Sequence, residues 1–213
     1  MSGIYAEEII KRIRNVNEPV QNEDWFHIEN DINRGYVVVK YEKLELEEKL
    51  ILDSHLTMLL PKNFIEMEYE LKLAKYPDPD RPEWIYSNEE GNVTITFHLE
   101  EGEVDPEEVE SIRDIMADQM KRLYPSSIIE EKEIIGGGKE LISRFSLEIP
   151  LIDDTCYHVM FFRAMNQGLL MGTFDCSILE KKQWGKILTQ LLGTMKEVTY
   201  DKWRNHEKKG TWL

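Results

Sequence analysis

The residues with the most chemical potential stand close together in the stretch KYPDPDRPEWIYSNEEGNVTITF, which runs from residue 75 to residue 97. Carboxylates on a loop stiffened by prolines could bind a metal ion, catalyse hydrolysis or hold a partner. A calcium-binding loop that began at Asp78 would need glycine at its sixth position, but Glu83 stands there. The calcium pattern therefore fails, and the prolines are better explained as a structural corner before the next strands.

Histidines, glycines and serines offer no better catalytic or metal-binding motif. The five histidines have neither the HxxxH nor the HExxH spacing of zinc sites, and the run GGGKE lacks the GxxxxGK[ST] pattern of a phosphate loop. A GxSxG nucleophile elbow is also missing. The sequence therefore predicts no catalytic residue, no cofactor and no metal site, and it favours a protein that is not an enzyme.

A thiol and an imidazole could still act as a nucleophile and its base. In a hairpin centred near Asn166, Cys156 and Cys176 would lie opposite or diagonal on one face, and His158 would share that face with Cys156. Such a pair could form a reactive thiol. The competing interpretation, which we favour, is that both cysteines are small apolar residues inside a buried sheet.

Composition limits the class of partner. The chain has 213 residues, of which 41% are hydrophobic and 31% charged, and its formal net charge is −15. A surface with this much negative charge repels the phosphates of nucleic acids and of anionic lipids. We therefore expect neither a nucleic acid nor an anionic membrane surface as a partner. No segment approaches the roughly 18 apolar residues of a membrane span, and no signal-peptide pattern opens the sequence. Two cysteines without paired spacing suit a reducing compartment, so we expect a cytoplasmic protein.

Apolar periodicity predicts the strands and helices that would position these residues. Strands are expected at residues 35–53 (one or two strands), 54–61, 84–87, 92–99, 128–149 (two strands joined across three glycines), 156–165 and 168–176. Helices are expected at residues 4–16, 65–76, 105–124 and 177–195. The short connections after residues 87 and 165 predict two hairpins.

The helix that starts at residue 105 has the clearest start signal. Asp105 is the predicted N-cap, Pro106 takes the first helical position and Glu108 completes a capping box. Ser177 and Glu180 predict a second capping box before the last helix. The apolar stripes of these two helices are expected to be Val109, Ile112, Ile115, Met116, Met120 and Leu123, and Trp184, Ile187, Leu188, Leu191 and Met195.

The two predicted hairpins differ in the faces that they would bury. In residues 92–99, apolar and polar side chains alternate, which predicts a strand covered on one face only. In residues 156–165, both faces are apolar, which predicts cover on both sides. Because amphipathic helices also need an apolar surface, the pattern predicts helices packed on an antiparallel sheet.

Two segments carry a resemblance to a known family. The pattern KYP…RPE.IYSNE.G, from Lys75 to Gly91, and the pattern Y..MFF…G.L..GTF.C, from Tyr157 to Cys176, resemble the PsbP, Mog and DcrB fold family, especially its bacterial DcrB-related branch. The resemblance rests on the order of elements as much as on the letters. It implies an α/β fold of the α+β type, an α/β/α sandwich whose central, mainly antiparallel sheet is flanked by helices.

The resemblance also divides the chain. Residues 51–197 would form the PsbP/Mog-like domain, residues 1–50 an N-terminal extension with a helix and one or two strands, and residues 198–213 a C-terminal tail. The family has a history of binding other proteins rather than of transforming substrates. It transfers no catalytic residue to this sequence.

The leading hypothesis is therefore a cytoplasmic, non-enzymatic protein-binding module, an adaptor or a chaperone for a secreted or membrane-associated partner. The side chains assigned to partner binding are Arg81, Trp84, Tyr86, Trp203 and Trp212. Aromatic residues outside the matched segments, Trp25 and Phe26 among them, could instead pack against the domain itself. The sequence leaves that choice open, and it leaves a homodimer open as well.

The alternative hypothesis is a small-ligand-binding protein or an unrecognised enzyme. It would use an apolar pocket between the sheet and the helices, lined by Met160, Phe162 and Met171. Methionine side chains suit adaptable apolar pockets, but in a buried hairpin they also serve as ordinary core.

Overall fold

The computed structural model of the chain describes residues 29–198, apart from the side chain of Glu131. The helix predicted at residues 4–16 and four aromatic residues lie outside this part. These aromatic residues are Trp25, Phe26, Trp203 and Trp212. Within the described part, the strands and helices expected from periodicity are present, with bounds that differ by a few residues.

Eleven strands and three α-helices follow one another along the described residues. The strands are β1 (Tyr36–Val39), β2 (Glu42–Ile51), β3 (Leu56–Pro61), β4 (Ile65–Glu66), β5 (Trp84–Ser87), β6 (Thr94–Glu101), β7 (Ile128–Ile135), β8 (Ile142–Pro150), β9 (Thr155–Met165), β10 (Gly168–Ser177) and β11 (Lys196–Glu197). The α-helices are α1 (Tyr69–Lys75), α2 (Val109–Leu123) and α3 (Lys181–Leu192). Short 3₁₀ helices lie at Ile32–Arg34, Pro106–Glu108, Gly138–Glu140 and Ile178–Glu180.

These strands form two sheets in which neighbouring strands run antiparallel. The larger sheet has seven strands in the order β4-β5-β6-β10-β9-β8-β7, and the smaller has four in the order β1-β2-β3-β11. The chain therefore has an α+β fold, and its second sheet was not predicted. Because β2 pairs with β3, residues on either side of the boundary predicted at residue 50 share one sheet. That domain boundary stays a prediction.

One face of the seven-stranded sheet packs against α2. Phe145 and Phe162 stack there with 6.3 Å between their ring centroids, and Val109 and Ala117 of the helix are fully buried above the sheet. The N-terminus of this helix has the predicted capping box, with Asp105 as the cap. None of the helices in the described residues is long and apolar enough to cross a membrane.

A larger hydrophobic cluster joins the opposite face of this sheet to α3 and to the smaller sheet. Trp184 of α3 lies within it, 5.7 Å from the ring of Phe64 and 5.4 Å from the ring of Phe174, measured between centroids. Phe161 of β9 belongs to this cluster, whereas Phe162 belongs to the cluster beneath α2. The prediction that β9 is covered on both faces is confirmed.

Strand β6 contradicts the prediction of cover on one face only. Thr94 and Thr96, which were expected to face solvent, are 2% and 1% exposed. The reason is that β6 lies between β5 and β10, and the Thr96 hydroxyl forms a 2.8 Å hydrogen bond with the hydroxyl of Thr173. A satisfied hydroxyl can be buried at little net cost, which the alternating pattern does not show.

The predicted helix stripes also need correction. Ile115 and Leu123 of α2 are exposed, because the helix turns them away from the sheet. Ser177 caps the turn before α3 as predicted, but Glu180 does not complete a capping box. Its carboxylate is buried, accepts a 3.0 Å hydrogen bond from Trp184 Nε1 and lies 2.6 Å from Lys40 Nζ. Glu180 therefore joins α3 to the β1–β2 turn.

Candidate functional site

The short helix α1 presents apolar side chains to solvent. None of its seven residues is buried, and Tyr69 and Leu71 are 67% and 59% exposed. Tyr69 and Leu73 lie one turn apart on the same side of the helix, whereas Leu71 points to the other side. Ile65, on β4 just before the helix, is also exposed. Exposed apolar side chains gathered in one region are typical of interaction sites.

Beside α1, the proline-rich segment folds back to form a shallow cavity of about 420 Å³. We call its lining the corner surface, which comprises Tyr69, Pro79, Arg81, Pro82 and Trp84. Asp53, Lys72 and Glu83 also line the cavity.

Arg81 is held in place at the corner surface by neutral groups. Its guanidinium lies over the ring of Tyr69, 5.9 Å from the ring centroid, and its Nη1 donates a 3.1 Å hydrogen bond to the carbonyl of Asp78. The Asp78 carboxylate accepts from the backbone N–H of Asp80, which fixes the turn. No carboxylate of the described residues forms an ion pair with Arg81, so its positive charge is available to a ligand.

The other aromatic residues assigned to partner binding occupy different environments. Trp84 is half-buried and packs at the edge of the larger hydrophobic cluster, so one side of its ring is accessible. Tyr86 lies in the core, where its ring meets that of Phe97 edge to face at 6.2 Å between centroids. Burial raises the pKa of Tyr86 to about 12. Tyr86 is therefore buried and does not line the corner surface, and Trp203 and Trp212 lie outside the described residues.

A polar cluster lies on β9 and β10. Nδ1 of His158 is 2.6 Å from Oδ1 of Asp175, and the Cys156 thiol donates a 3.4 Å hydrogen bond to the same oxygen. His158 thus contacts the carboxylate and not the thiol. Burial, the Asp175 charge and the hydrogen bond together raise the pKa of Cys156 to about 12. At neutral pH the thiol stays protonated, so this arrangement does not activate a nucleophile.

The predicted proximity of the two cysteines on one face is wrong. Cys176 stands opposite Tyr157 in the hairpin, and Cys156 stands opposite Ser177. Because side chains alternate along a strand, Cys156 and Cys176 point to opposite faces of the sheet. Cys176 is buried in the larger hydrophobic cluster, and burial raises the pKa of its thiol well above the ordinary value.

The residues predicted to line an apolar pocket are part of the core beneath α2. Phe162 is fully buried, and Met160 is 9% exposed. Met171 packs against the same cluster. These three side chains pack against α2 and the neighbouring strands, so the structure gives the alternative hypothesis of a ligand pocket no support at this position.

Sequence reasoning missed two residues of these sites. Tyr69 could have been recognised, because the apolar residues of YELKLAK alternate and therefore cannot all lie on one face of a helix. Asp175 could also have been recognised, because the two-residue turn at Asn166 and Gln167 sets the register of the hairpin and places Asp175 opposite His158.

Comparisons with known proteins bear on the fold. The Ran-binding protein Mog1p of Saccharomyces cerevisiae has 11% sequence identity and a TM-score of 0.51, over 74% of this chain and 98% of Mog1p. The cyanobacterial PsbP (CyanoP) of Synechocystis sp. PCC 6803 has 10% identity and a TM-score of 0.50, over 72% of this chain and 92% of CyanoP. No protein-family model matches the chain, and no curated protein matches its sequence. At such low identity the likeness concerns structure alone, and it confirms the predicted PsbP/Mog-like fold.

Proposed function

We propose that this chain is a non-enzymatic protein-binding module and that the corner surface is its binding site. The observation that carries the proposal is the grouping of exposed Tyr69 with half-buried Arg81 and Trp84 around one shallow cavity. Tyrosine, arginine and tryptophan are the residue types that most often dominate the energy of protein interfaces. Mog1p, which shares the fold, is a Ran-binding protein, so one protein of this fold binds another protein.

The corner surface is ordered before any partner arrives. The hydrogen bond from Arg81 to the Asp78 carbonyl and the position of its guanidinium over Tyr69 restrict the arginine side chain. Lys72 donates 2.9 Å hydrogen bonds to Glu66 and to the Glu83 carbonyl, which tie α1 to the start of β5. A preordered surface loses less conformational entropy when it binds, which favours affinity.

The chemistry of the polar cluster supports the absence of catalysis. The Cys156 thiol is the nucleophile that the sequence paired with a histidine, and its pKa is raised to about 12. Asp175 accepts its hydrogen bond and is negatively charged, which opposes formation of a thiolate. Nucleophilic catalysis needs a base that removes the proton of the thiol. The Asp175 carboxylate instead stabilises the protonated thiol.

The proposal has four further parts. The chain belongs to the DcrB-related branch, acts as an adaptor or chaperone, is cytoplasmic and forms a homodimer. The net charge of −15 supports a protein partner over a nucleic acid. We also infer an α/β/α sandwich, because α2 packs on one face of the seven-stranded sheet and α3 joins the cluster on the other.

A double variant tests the proposal. With Arg81→Ala and Trp84→Ala combined, we expect a protein that co-purifies with the wild-type chain in a fixed ratio to be lost, while the variant stays folded. The matched control combines Leu179→Ala and Lys182→Ala, which removes an exposed apolar side chain and an exposed cation near the start of α3. Retention of the partner by the first variant, or its loss from the control as well, contradicts the proposal.

The single variant Arg81→Ala separates binding from folding. If the double variant does not accumulate as folded protein, Trp84 has a structural role. Partner recovery with Arg81→Ala alone then tests the proposal. The Arg81 side chain donates a hydrogen bond to the Asp78 carbonyl and lies over the ring of Tyr69, and neither group belongs to the hydrophobic core. Its removal therefore leaves the core intact, and unchanged partner recovery with this variant contradicts the proposal.

A further inference from the structure

Three arginines are buried among the described residues, and one of them differs from the others. Arg144 donates hydrogen bonds of 2.8 and 2.6 Å to the Glu133 carboxylate, and Arg113 lies 2.9 Å from Asp114. Arg163 is 4% exposed, but no carboxylate of the described residues lies within ion-pair distance of it. A buried guanidinium without a counter-ion is costly, because it has lost its hydration.

The hydrogen-bond donors of Arg163 are only partly used. Nη1 donates a 2.9 Å hydrogen bond to the carbonyl of Met195, while Nε is buried and has no hydrogen-bond partner within residues 29–198. Burial lowers the pKa of Arg163, and the charges of Glu197 and Glu140 partly oppose this shift. Nε is enclosed by protein atoms, so the donor that a ligand in the cavity could reach is Nη2, which forms no hydrogen bond within the described residues. A planar guanidinium with an unused donor is a group that binds carboxylates strongly.

Arg163 lines a cavity of about 450 Å³ at the end of the seven-stranded sheet. The charged side chains that line it with Arg163 are Lys139, Glu140, Lys196 and Glu197. Asn166 ties Glu197 to the β9–β10 turn, since its backbone N–H lies 3.2 Å from Oε1 and its amide group contacts Oε2. Glu197 is therefore already engaged by Asn166, while its charge still acts on Arg163. This cavity shares no lining residue with the corner surface.

The charge around the cavity indicates which ligand fits. Three cations and two carboxylates line it, so the local net charge is one positive charge in a chain whose overall charge is −15. A carboxylate carries one negative charge and matches this balance. A phosphate monoester carries about −1.5 to −2 at neutral pH and would meet repulsion from the two acids.

We propose that this cavity is a carboxylate-binding site and that Arg163 is the residue that anchors the ligand. Lys139 and Lys196 would attract the ligand to the entrance, and Nη2 of Arg163 would donate a hydrogen bond to it inside. The carboxylate can belong to a small molecule or to an acidic side chain of a protein. Such a site would be a second binding site, separate from the corner surface.

Nuclear magnetic resonance of the arginine Nε–H groups tests this site directly. The intact chain is titrated with sodium acetate, with sodium phosphate and with sodium chloride at matched ionic strength. We expect a saturable shift of the Arg163 Nε–H resonance with acetate, a weaker response with phosphate and none with chloride. No saturable shift with acetate, an equal shift with chloride, or a stronger response to phosphate would overturn the proposal.

Two lysine variants provide matched controls that do not disturb the core. Lys196 is exposed and lines the cavity, whereas Lys182 is exposed on α3 and does not. We expect Lys196→Gln to weaken acetate binding and Lys182→Gln to leave it unchanged. Arg163→Lys, if folded, should lose about tenfold or more in apparent affinity, since a point charge replaces the planar donor pair. Equal effects of the two lysine variants contradict the proposal.

A peptide distinguishes the two sources of the carboxylate. If an acetylated and amidated Gly-Glu-Gly peptide saturates the same resonance at a lower concentration than acetate, the site recognises a protein side chain. If acetate saturates the resonance at a lower concentration than the peptide, the site recognises a small carboxylate. Both orders support a carboxylate site, while a response to neither ligand overturns it.

Discussion

The Nδ1 atom of His158 lies 2.6 Å from Oδ1 of Asp175, across the β9–β10 hairpin. Burial alone would raise the pKa of the Asp175 carboxyl, but the charge and hydrogen bond of His158, with the Cys156 thiol, lower it overall. A carboxyl whose pKa is lower in the folded than in the unfolded chain stabilises the fold when ionised. This contribution is present above the unfolded-state pKa of about 4 and is lost as pH falls through the folded-state value.

Asp175→Asn should therefore destabilise the protein in a pH-dependent way. At about pH 7 we expect the free energy of unfolding to fall by about 1–3 kcal/mol, because His158 and Cys156 lose a charged acceptor. The difference from wild type should shrink as the pH falls to about 3. Urea unfolding over this pH range measures it, with Asp118→Asn, an exposed position on α2, as the control. A difference that does not change with pH would show that the Asp175 charge is unimportant.

Thr96, which is buried, and Thr173, which is half-buried, should behave as a coupled unit. Thr96→Val leaves the Thr173 hydroxyl without its 2.8 Å partner inside the sheet and should cost about 1 kcal/mol of unfolding free energy. Changing both residues to valine removes both hydroxyls, so the double variant should cost less than the sum of the single variants. Chemical denaturation of the four proteins gives the coupling energy, and strict additivity would contradict this explanation of the buried threonines.

Gly172 allows the ring of Phe161 to lie against the backbone of β10. A Cβ atom at residue 172 would lie 2.0 Å from Cζ of Phe161. Gly172→Ala should therefore lower the unfolding free energy by about 1–3 kcal/mol through overpacking. Gly137→Ala is the control, since Gly137 is extended with nothing within 4 Å of an added Cβ. Equal stability of the two variants, measured by denaturant unfolding, would contradict the close contact.

Most secondary structure could be predicted because it depends on local pattern. Alternating apolar residues located the strands, and Asp105 marked the start of α2 through contacts within four residues. The short strands β4 and β11 were missed, because two-residue strands have no period of their own and exist through pairing with β5 and β3.

The site residues were harder to predict because their roles depend on distant contacts. Glu180 matched a local capping pattern, but Trp184 and Lys40 engage its carboxylate instead. Arg163 stood in a strand predicted to be covered on both faces, so a buried charge could have been expected there. Its cavity is formed by the β7–β8 turn, the β9–β10 turn and β11, and sequence alone does not bring these segments together.

Site-specific photocrosslinking in the native cell tests the central claim most directly. A photoreactive phenylalanine derivative would replace Tyr69 at the corner surface or Tyr41 in the β1–β2 turn, residues that are 67% and 63% exposed. We predict that the derivative at residue 69 captures one distinct protein, that Arg81→Ala abolishes the product, and that residue 41 does not yield it. If residue 69 gives no distinct product, or the same products as residue 41, the corner surface is not the binding site.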